Sequence, residues 1–81
     1  MTKEDILLKL NPIFCKVFNN EKLKISIKTT PFDIDKWDSL NHVVLISDVE
    51  KEFGIRFSLD ELLSIADVDS LVGSIEKKMS S

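Results

Sequence analysis

Apolar residues recur at steps of three and four along most of this chain, and this helical period constrains its fold more than any other feature. It governs the segments 3–18, 38–54, 58–64 and 67–79. The 81 residues allow one small core, because a chain this short buries only about 60% of its unfolded surface. We therefore predict a single all-α domain over residues 1–81. It should be a small four-helix bundle of three principal helices and one short helix.

The first helix has a clear start and a disturbed middle. Thr2 and Asp5 resemble a capping box, which places the start near Lys3. Pro12 lies within the helical pattern, where it lacks a backbone N–H and crowds the carbonyl group one turn earlier. Two outcomes are open: the helix kinks at Pro12, or it restarts there with Asn11 as its cap.

A long loop separates the first and second helices, because the helical period is lost between Asn19 and Trp37. Three apolar residues in this loop have strand spacing: Leu23, Ile25 and Ile27. No second strand with matching alternation exists to pair with them. We expect a partly extended connection that covers one end of the bundle.

Caps also mark the other three helices. The second should span residues 38–54, with Gly54 adopting the left-handed conformation just past the helix end. Ser58 and Glu61 form a capping box for the short helix, and Asp67 can cap the last one. The last helix carries one apolar stripe: Val68, Leu71, Val72, Ile75 and Met79. Gly73 interrupts this helix at a cost of about 1 kcal/mol relative to Ala, unless it permits close packing.

The net charge of −3 is unevenly distributed. Residues 1–32 hold six Lys against three acidic residues, for +3, whereas residues 33–69 hold ten acidic residues against three basic ones, for −7. Residues 70–81 hold one Glu against two Lys, for +1. An acidic field repels nucleic acid and attracts basic protein surfaces. We expect protein partners and no nucleic acid, although a solvated acidic face is also common in helical domains.

Location and oligomeric state follow from what the sequence lacks. No apolar run approaches the roughly 20 residues of a membrane helix, and the polar start at residues 2–5 does not resemble a secretory signal. We expect a cytoplasmic monomer that does not enter a membrane. The single cysteine, Cys15, has no second thiol to pair with, and its apolar neighbours predict a buried, inert side chain.

The second helix should have two distinct faces, because successive residues rotate by about 100°. The core-facing sector contains His42, Leu45, Ile46, Val49 and Phe53. Leu40 and Val44 lie on the opposite side, so two apolar residues face water beside Ser39. A pair of this kind at a helix start indicates a docking surface.

Residues 33–43 carry a family resemblance, with the sequence DIDKWDSLNHV. This run resembles the phosphopantetheine attachment site of acyl carrier proteins, whose Asp-Ser-Leu motif starts the second helix. The likeness continues through Glu-Phe-Gly-Ile at 52–55 and covers nearly the whole chain. Asp-Ser-Leu alone is a weak motif, but it becomes specific when it follows a long loop and precedes such a helix.

The resemblance implies a carrier that catalyses no reaction itself. Ser39 would receive a 4'-phosphopantetheine arm, which holds acyl or aminoacyl groups as thioesters. The implied partners are a holo-acyl-carrier-protein synthase, which uses Mg²⁺ and coenzyme A, and the enzymes that load and transfer the cargo. Asp38 would cap the helix and take part in synthase recognition. The expected partner-binding residues are Leu40, Val44, Asp48, Glu50 and Glu52.

A second Asp-Ser-Leu at residues 69–71 serves as an internal control. Leu71 belongs to the buried stripe of the last helix, so Ser70 should not be displayed. The resemblance therefore assigns the arm to Ser39.

The pathway stays open between fatty-acid-like and specialised biosynthesis. Val44 stands where carriers of fatty-acid synthesis have a further acid, and Lys51 interrupts the later acidic pair. The Trp-Asp-Ser-Leu-Asn-His form is similar to discrete carriers of surface-polysaccharide or natural-product assembly. Its Trp-Asp-Ser portion also resembles D-alanyl carriers.

A different class of function is an unmodified helical adaptor that binds partners through Leu40 and Val44. An enzyme is not indicated, because no nucleophile with a base, metal-ligand set or Gly-rich phosphate loop can be drawn. The Asp33-x-Asp35 pair lacks the later ligands of a calcium loop, so we predict no metal site. His42 is expected to be a packed, hydrogen-bonded residue.

Overall fold

In the computed structural model, which describes residues 2–80, the first helix α1 spans Lys3–Val17. Its capping box forms as predicted: the Asp5 amide donates to Thr2 Oγ1 at 3.1 Å, and the Thr2 amide donates to Asp5 Oδ2 at 3.4 Å. The helix continues through Pro12, so the restart capped by Asn11 does not occur.

Asn11 instead fastens the long loop to α1. Its Oδ1 accepts the Ile25 amide at 2.7 Å, and its Nδ2 donates to the Leu23 carbonyl at 3.0 Å. Further along, the Thr29 carbonyl accepts the Val68 amide at 3.1 Å, which ties the loop to the last helix. The alternating apolar residues are half-buried against the core rather than paired in a strand: Leu23, Ile25 and Ile27.

The second helix, α2, spans Ser39–Phe53, as the caps predicted. Asp38 Oδ1 accepts the Asn41 amide at 2.9 Å and so satisfies one of the unpaired N–H groups of the first turn. Gly54 ends the helix with φ of 65°, a left-handed conformation that glycine adopts without a steric penalty. The buried residues of α2 are Leu45, Ile46, Val49 and Phe53.

Two further helices complete the chain, the short α3 at Leu59–Ser64 and α4 at Val68–Met79. The predicted capping box of Ser58 with Glu61 starts α3, and a box of Asp67 with Ser70 starts α4. The four helices found in residues 2–80, with no strand among them, confirm the predicted all-α fold.

The apolar stripe of α4 is shorter than predicted. Its buried residues are Val68, Leu71, Val72 and Ile75. Met79 is 42% exposed because it lies at the end of the helix, beyond the buried turns. Gly73 does not serve close packing either, since a Cβ atom built on it would meet no described atom within 4 Å apart from its chain neighbours and the adjacent helix backbone.

The core is formed where α1 packs against α2 and α4. The α1 and α2 axes run in opposite directions, because Phe14 contacts Trp37 just before α2 whereas Lys9 lies near Phe53 at its end. The rings of Phe14 and Trp37 meet edge to face, with centroids 5.4 Å apart and planes at 83°. Aromatic pairs of this geometry contribute about 0.5–1.5 kcal/mol beyond the burial of their area.

Cys15 is half-buried, so the prediction of a buried thiol is wrong. Its Sγ lies 3.3 Å from the Leu23 carbonyl oxygen and 3.6 Å from Asn11 Nδ2. The core-facing side of α1 is occupied by Leu10 and Phe14, and helical rotation therefore places Cys15 under the loop.

Candidate functional site

Ser39 is the first residue of α2, and its side chain is exposed. Its hydroxyl group makes no hydrogen bond with any of residues 2–80. The amides of a helix's first turn have no partner within the helix, and the helix dipole makes this end electropositive. Ser39 is therefore an accessible hydroxyl group at a position that favours a nearby anion.

A tight turn holds the backbone on both sides of Ser39. Lys36 has a positive φ of 70°, and its carbonyl accepts the Asp38 amide at 2.8 Å and Asn41 Nδ2 at 2.7 Å. The Asn41 amide in turn donates to the Asp38 carboxylate. Sequence reasoning missed the role of Asn41; a polar residue three positions after a helix cap is the signal that indicates it.

A largely apolar groove of about 460 Å³ adjoins Ser39 between α2 and α3. Its apolar walls come from both helices and from the segments before α2 and after α3. The lining includes Trp37, Val43, Leu62, Leu63, Ile65 and Ala66. Leu63 is 74% exposed at this groove, so the groove has an apolar rim as well as an apolar floor.

His42 forms the polar part of the groove wall. Its Nδ1 accepts a 3.0 Å hydrogen bond from Trp37 Nε1, and its Nε2 lies 3.4 Å from the Leu62 carbonyl oxygen. An Nδ1 that accepts leaves the ring proton on Nε2, which then faces the carbonyl group. His42 is thus packed and hydrogen-bonded, and it connects the segment before α2 to α3.

Ser70, in the second Asp-Ser-Leu, has a different environment from Ser39. Its Oγ accepts the amides of Ala66 and Asp67 at 2.9 and 3.1 Å, and it donates to Asp67 Oδ1 at 2.7 Å. The Ser70 amide and hydroxyl group both donate to the Asp67 side chain and lower the pKa of its carboxyl group. The Ser70 hydroxyl is therefore part of the α4 cap.

An ion pair holds α3 against α4. Lys78 Nζ lies 2.8 Å from Glu61 Oε2, and the Ser58 amide donates to Glu61 Oε1 at 2.8 Å. Two hydrogen bonds lower the pKa of Glu61 to about 2: the one from Lys78 has the larger effect and the one from the Ser58 amide the next largest. These contacts position α3, which has no buried residue among those described.

The expected partner-binding residues of α2 differ in exposure and do not all face the same direction. Leu40 is 75% exposed and Val44 is 46% exposed, and Val43, which the helical-face prediction did not include, is 53% exposed. The Glu50 carboxylate accepts the Phe57 amide at 2.8 Å, so this side chain also supports the segment before α3. Among the remaining acids, Asp48 is half-buried and Glu52 is exposed.

Residues 2–80 contain no group of three or more His, Cys, Asp or Glu side chains arranged to hold a metal ion. None of the helices described there has the length and apolar character of a membrane span. The carboxylate of Asp33, from the pair Asp33 and Asp35, accepts hydrogen bonds from the Thr30 amide and hydroxyl groups.

Comparison with known proteins identifies a family that this chain resembles in sequence and fold. Residues 9–75 match the family described as "Phosphopantetheine attachment site". The solution NMR structure of a holo acyl carrier protein from Geobacter metallireducens resembles this fold with a TM-score of 0.84 and 37% identity. The match covers 93% of this chain and 86% of that one.

Three relatives agree with this family. An acyl carrier protein of Thermotoga maritima is 30% identical over 78 residues, which cover 96% of each chain. An acyl carrier protein homolog of Mycoplasma pneumoniae is 35% identical over 99% of this chain and 95% of its own length. A non-reducing polyketide synthase of Emericella nidulans is 37% identical over 93% of this chain, which spans only 3% of that protein.

The chain therefore belongs to the acyl carrier protein family. Members of the family carry a 4'-phosphopantetheine prosthetic group and are carriers, not catalysts. They interact with a synthase and with acyl-transferring enzymes. Membership favours the carrier over the unmodified adaptor.

Proposed function

We propose that Ser39 bears the 4'-phosphopantetheine arm of this carrier domain. The arm holds acyl or aminoacyl groups as thioesters and presents them to partner enzymes. The observation that carries this assignment is the contrast between two serines in the same motif. Ser39 is exposed with an unengaged hydroxyl group, whereas the Ser70 hydroxyl takes part in three short contacts that cap α4.

The start of α2 suits the attached phosphate group. When the arm is transferred, the Ser39 oxygen bonds to phosphorus, the phosphoanhydride bond of coenzyme A breaks, and adenosine 3',5'-bisphosphate leaves with the hydroxyl proton passing to solvent. The start of α2 would hold the phosphodiester, because its first-turn amides and the positive end of the helix dipole favour a negative charge. Asp38 keeps these amides in place through the Asn41 bond and supplies the carboxylate for recognition by the synthase.

The arm and its cargo can bind along the adjoining groove. Its walls are mainly aliphatic and aromatic, and no ionised side chain other than Asp38 lines it among the described residues. Burying a charged group there would carry a desolvation penalty, whereas burying methylene groups is favourable. This chemistry favours an uncharged acyl group over a charged aminoacyl group as the sequestered cargo.

Pathway, docking face and location form the rest of the proposal. Leu40 and Val44 contact partner enzymes, and Asp48, Glu50 and Glu52 attract their basic residues. The chain spans 95–96% of the length of two acyl carrier relatives. It serves fatty-acid-like or specialised biosynthesis, such as surface-polysaccharide or natural-product assembly, as a monomer in the cytoplasm.

Intact-mass measurement tests the attachment site. The purified protein is incubated with coenzyme A, Mg²⁺ and a broad-specificity phosphopantetheinyl transferase. Wild type and Ser70→Ala should each gain one phosphopantetheine, and Ser39→Ala should gain none. Peptide mapping that located the arm on Ser70, or a wild type that gained no mass, would contradict the proposal.

A further inference from the structure

Phe32 lies in the loop before α2 with its side chain fully exposed, at 101% of the reference area. Single exposed hydrophobic residues are common on protein surfaces and need no special cause. Hydrogen bonds close the backbone turn that carries Phe32. The Asp33 amide donates to the Thr30 carbonyl at 2.9 Å, and the Phe32 amide donates to Thr30 Oγ1 at 3.2 Å.

Further contacts close this turn. The Thr30 amide and hydroxyl group both donate to Asp33 Oδ2, at 2.9 and 3.2 Å. Pro31 occupies the second position of the turn, where its fixed φ is favoured. A hydrogen-bonded turn therefore presents an exposed aromatic side chain to water. An aromatic side chain has only two rotatable bonds and loses little conformational entropy on binding, which suits it to act as an interface anchor.

The position of the turn connects Phe32 to the attachment site. Pro31, directly before Phe32, lines the same groove as Ser39 and Asp38. An enzyme bound over the groove at Ser39 would therefore also lie next to Pro31 and the turn that carries Phe32. This neighbourhood makes Phe32 a candidate contact outside α2 and α3.

The charges around Phe32 indicate the chemistry of the partner surface. The segment 30–41 contains three Asp residues and a single Lys. All three carboxylates are on exposed residues: Asp33, Asp35 and Asp38. An apolar side chain among exposed carboxylates fits an apolar pocket bordered by basic residues.

We propose that Phe32 is an aromatic anchor for the holo-acyl-carrier-protein synthase that modifies Ser39, and that it inserts into an apolar pocket with a basic border. The inference rests on the proposed function, because it requires Ser39 to be the modified residue. It adds a contact on the loop to the docking face proposed on α2. Phe32 acts in binding and takes no part in the transfer chemistry.

Steady-state kinetics of arm transfer test this contact, with the synthase of the protein's own host, coenzyme A and apo protein as variable substrate. Phe32→Ala should raise KM for the apo protein about tenfold or more, as loss of an aromatic interface anchor does, with kcat within twofold. Phe32→Leu and Phe32→Trp should recover part of the loss. Leu8→Ala is the matched control, because Leu8 is 74% exposed on α1 near the far end of α2 and should leave KM unchanged.

Charge is tested separately with Asp35→Asn, which should raise KM at low salt and have less effect at high salt. Equal KM values for Phe32→Ala and wild type would overturn the proposal, as would equal losses for Phe32→Ala and Leu8→Ala. A wild-type protein that accepts no arm would instead refute the proposed function. The two failures are therefore distinguishable.

Discussion

The indole Nε1 of Trp37 donates a 3.0 Å hydrogen bond to Nδ1 of His42, and the two rings lie nearly parallel, at 24°. Trp37 is buried against Phe14 and Phe18, while His42 lines the groove beside Ser39. The bond therefore joins the aromatic core to the groove wall. It also satisfies the one polar group of the indole, which would be costly to leave unpaired in a buried site.

Replacing His42 should reveal the strength of this bond. His42→Leu leaves the Trp37 N–H without its acceptor, so we expect a loss of about 1–3 kcal/mol in the free energy of unfolding. His42→Asn places a carbonyl oxygen near the position of Nδ1 and should lose less. Urea denaturation followed by circular dichroism and by fluorescence of Trp37, the only tryptophan, measures both. Equal stability of the Leu variant and wild type would show that the bond contributes nothing.

Alanine at Ser70 should lower stability more than alanine at Ser39, whereas only alanine at Ser39 should abolish attachment of the arm. Ser70→Ala removes an acceptor of the Ala66 and Asp67 amides, so we expect a loss of about 1–3 kcal/mol. Ser39→Ala removes an exposed hydroxyl group and should change stability by less than about 0.5 kcal/mol. Thermal and urea unfolding of the apo proteins measure this. If Ser39→Ala were less stable than Ser70→Ala, the assignment of Ser70 to the α4 cap and of Ser39 to an exposed, unbonded position would be wrong.

The two glycines should respond oppositely to alanine. A methyl group on Gly73 meets no described atom within 4 Å beyond its chain neighbours and the adjacent helix backbone, so Gly73→Ala should stabilise the protein by up to about 1 kcal/mol through helix propensity. Gly54 has φ of 65°, and Gly54→Ala should destabilise it by about 1–2 kcal/mol although space is available there too. Denaturation midpoints compare the two directly. Destabilisation by Gly73→Ala would show that this position has a role that the structure does not reveal.

The contact of Glu61 with Lys78 should make stability depend on acid pH. The folded-state pKa of Glu61 is lowered from 4.5 to about 2, so its stabilising contribution is present above pH 4.5 and is lost as the pH falls toward 2. Glu61→Gln should therefore flatten the dependence of unfolding free energy on pH within this interval. Lys78→Met should flatten it in part, because the hydrogen bond from the Ser58 amide remains.

Urea titrations at several pH values between 2 and 6, compared with wild type, measure this change. The effect should shrink at high salt, since both side chains are partly exposed and their attraction is screened. Parallel curves for Glu61→Gln and wild type would contradict the depressed pKa.

The helices could be predicted from the sequence because their signals are local. A capping box spans four residues and a helical stripe repeats every turn, so Thr2 with Asp5 and Ser58 with Glu61 appear in the structure as expected. The path of the loop could not be predicted, because it depends on bonds between distant residues. Asn11, for example, binds the Ile25 amide fourteen residues away.

The site was partly predictable for the same reason. The placement of Asp38 and Ser39 at a helix start followed from local pattern and motif. The groove beside them depends on α3, which is held by the bond of Glu61 to Lys78, seventeen residues apart. The burial of Cys15 was wrongly predicted because its thiol contacts the Leu23 carbonyl group on the loop, whose path over α1 has no sequence signal.

The docking face on α2 gives the last prediction. Leu40 and Val44 are exposed on the side of α2 away from the core, so Val44→Glu should alter stability by less than about 0.5 kcal/mol while weakening association of the holo protein with the enzyme that loads it. Glu52→Lys should slow association and flatten its salt dependence, because an exposed charge steers encounter rather than filling a pocket.

Glu50 is a poor choice for this charge reversal, because its carboxylate accepts the Phe57 amide and its loss would also disturb the segment before α3. Glu50→Gln retains an acceptor for that amide and is the appropriate neutral variant. Stopped-flow association at two salt concentrations, with thermal unfolding of the same variants, separates docking from folding. If Val44→Glu unfolds the protein, the face belongs to the core. If Val44→Glu and Glu52→Lys both associate like wild type, the loading enzyme docks elsewhere, and the turn that presents Phe32 becomes the next surface to test.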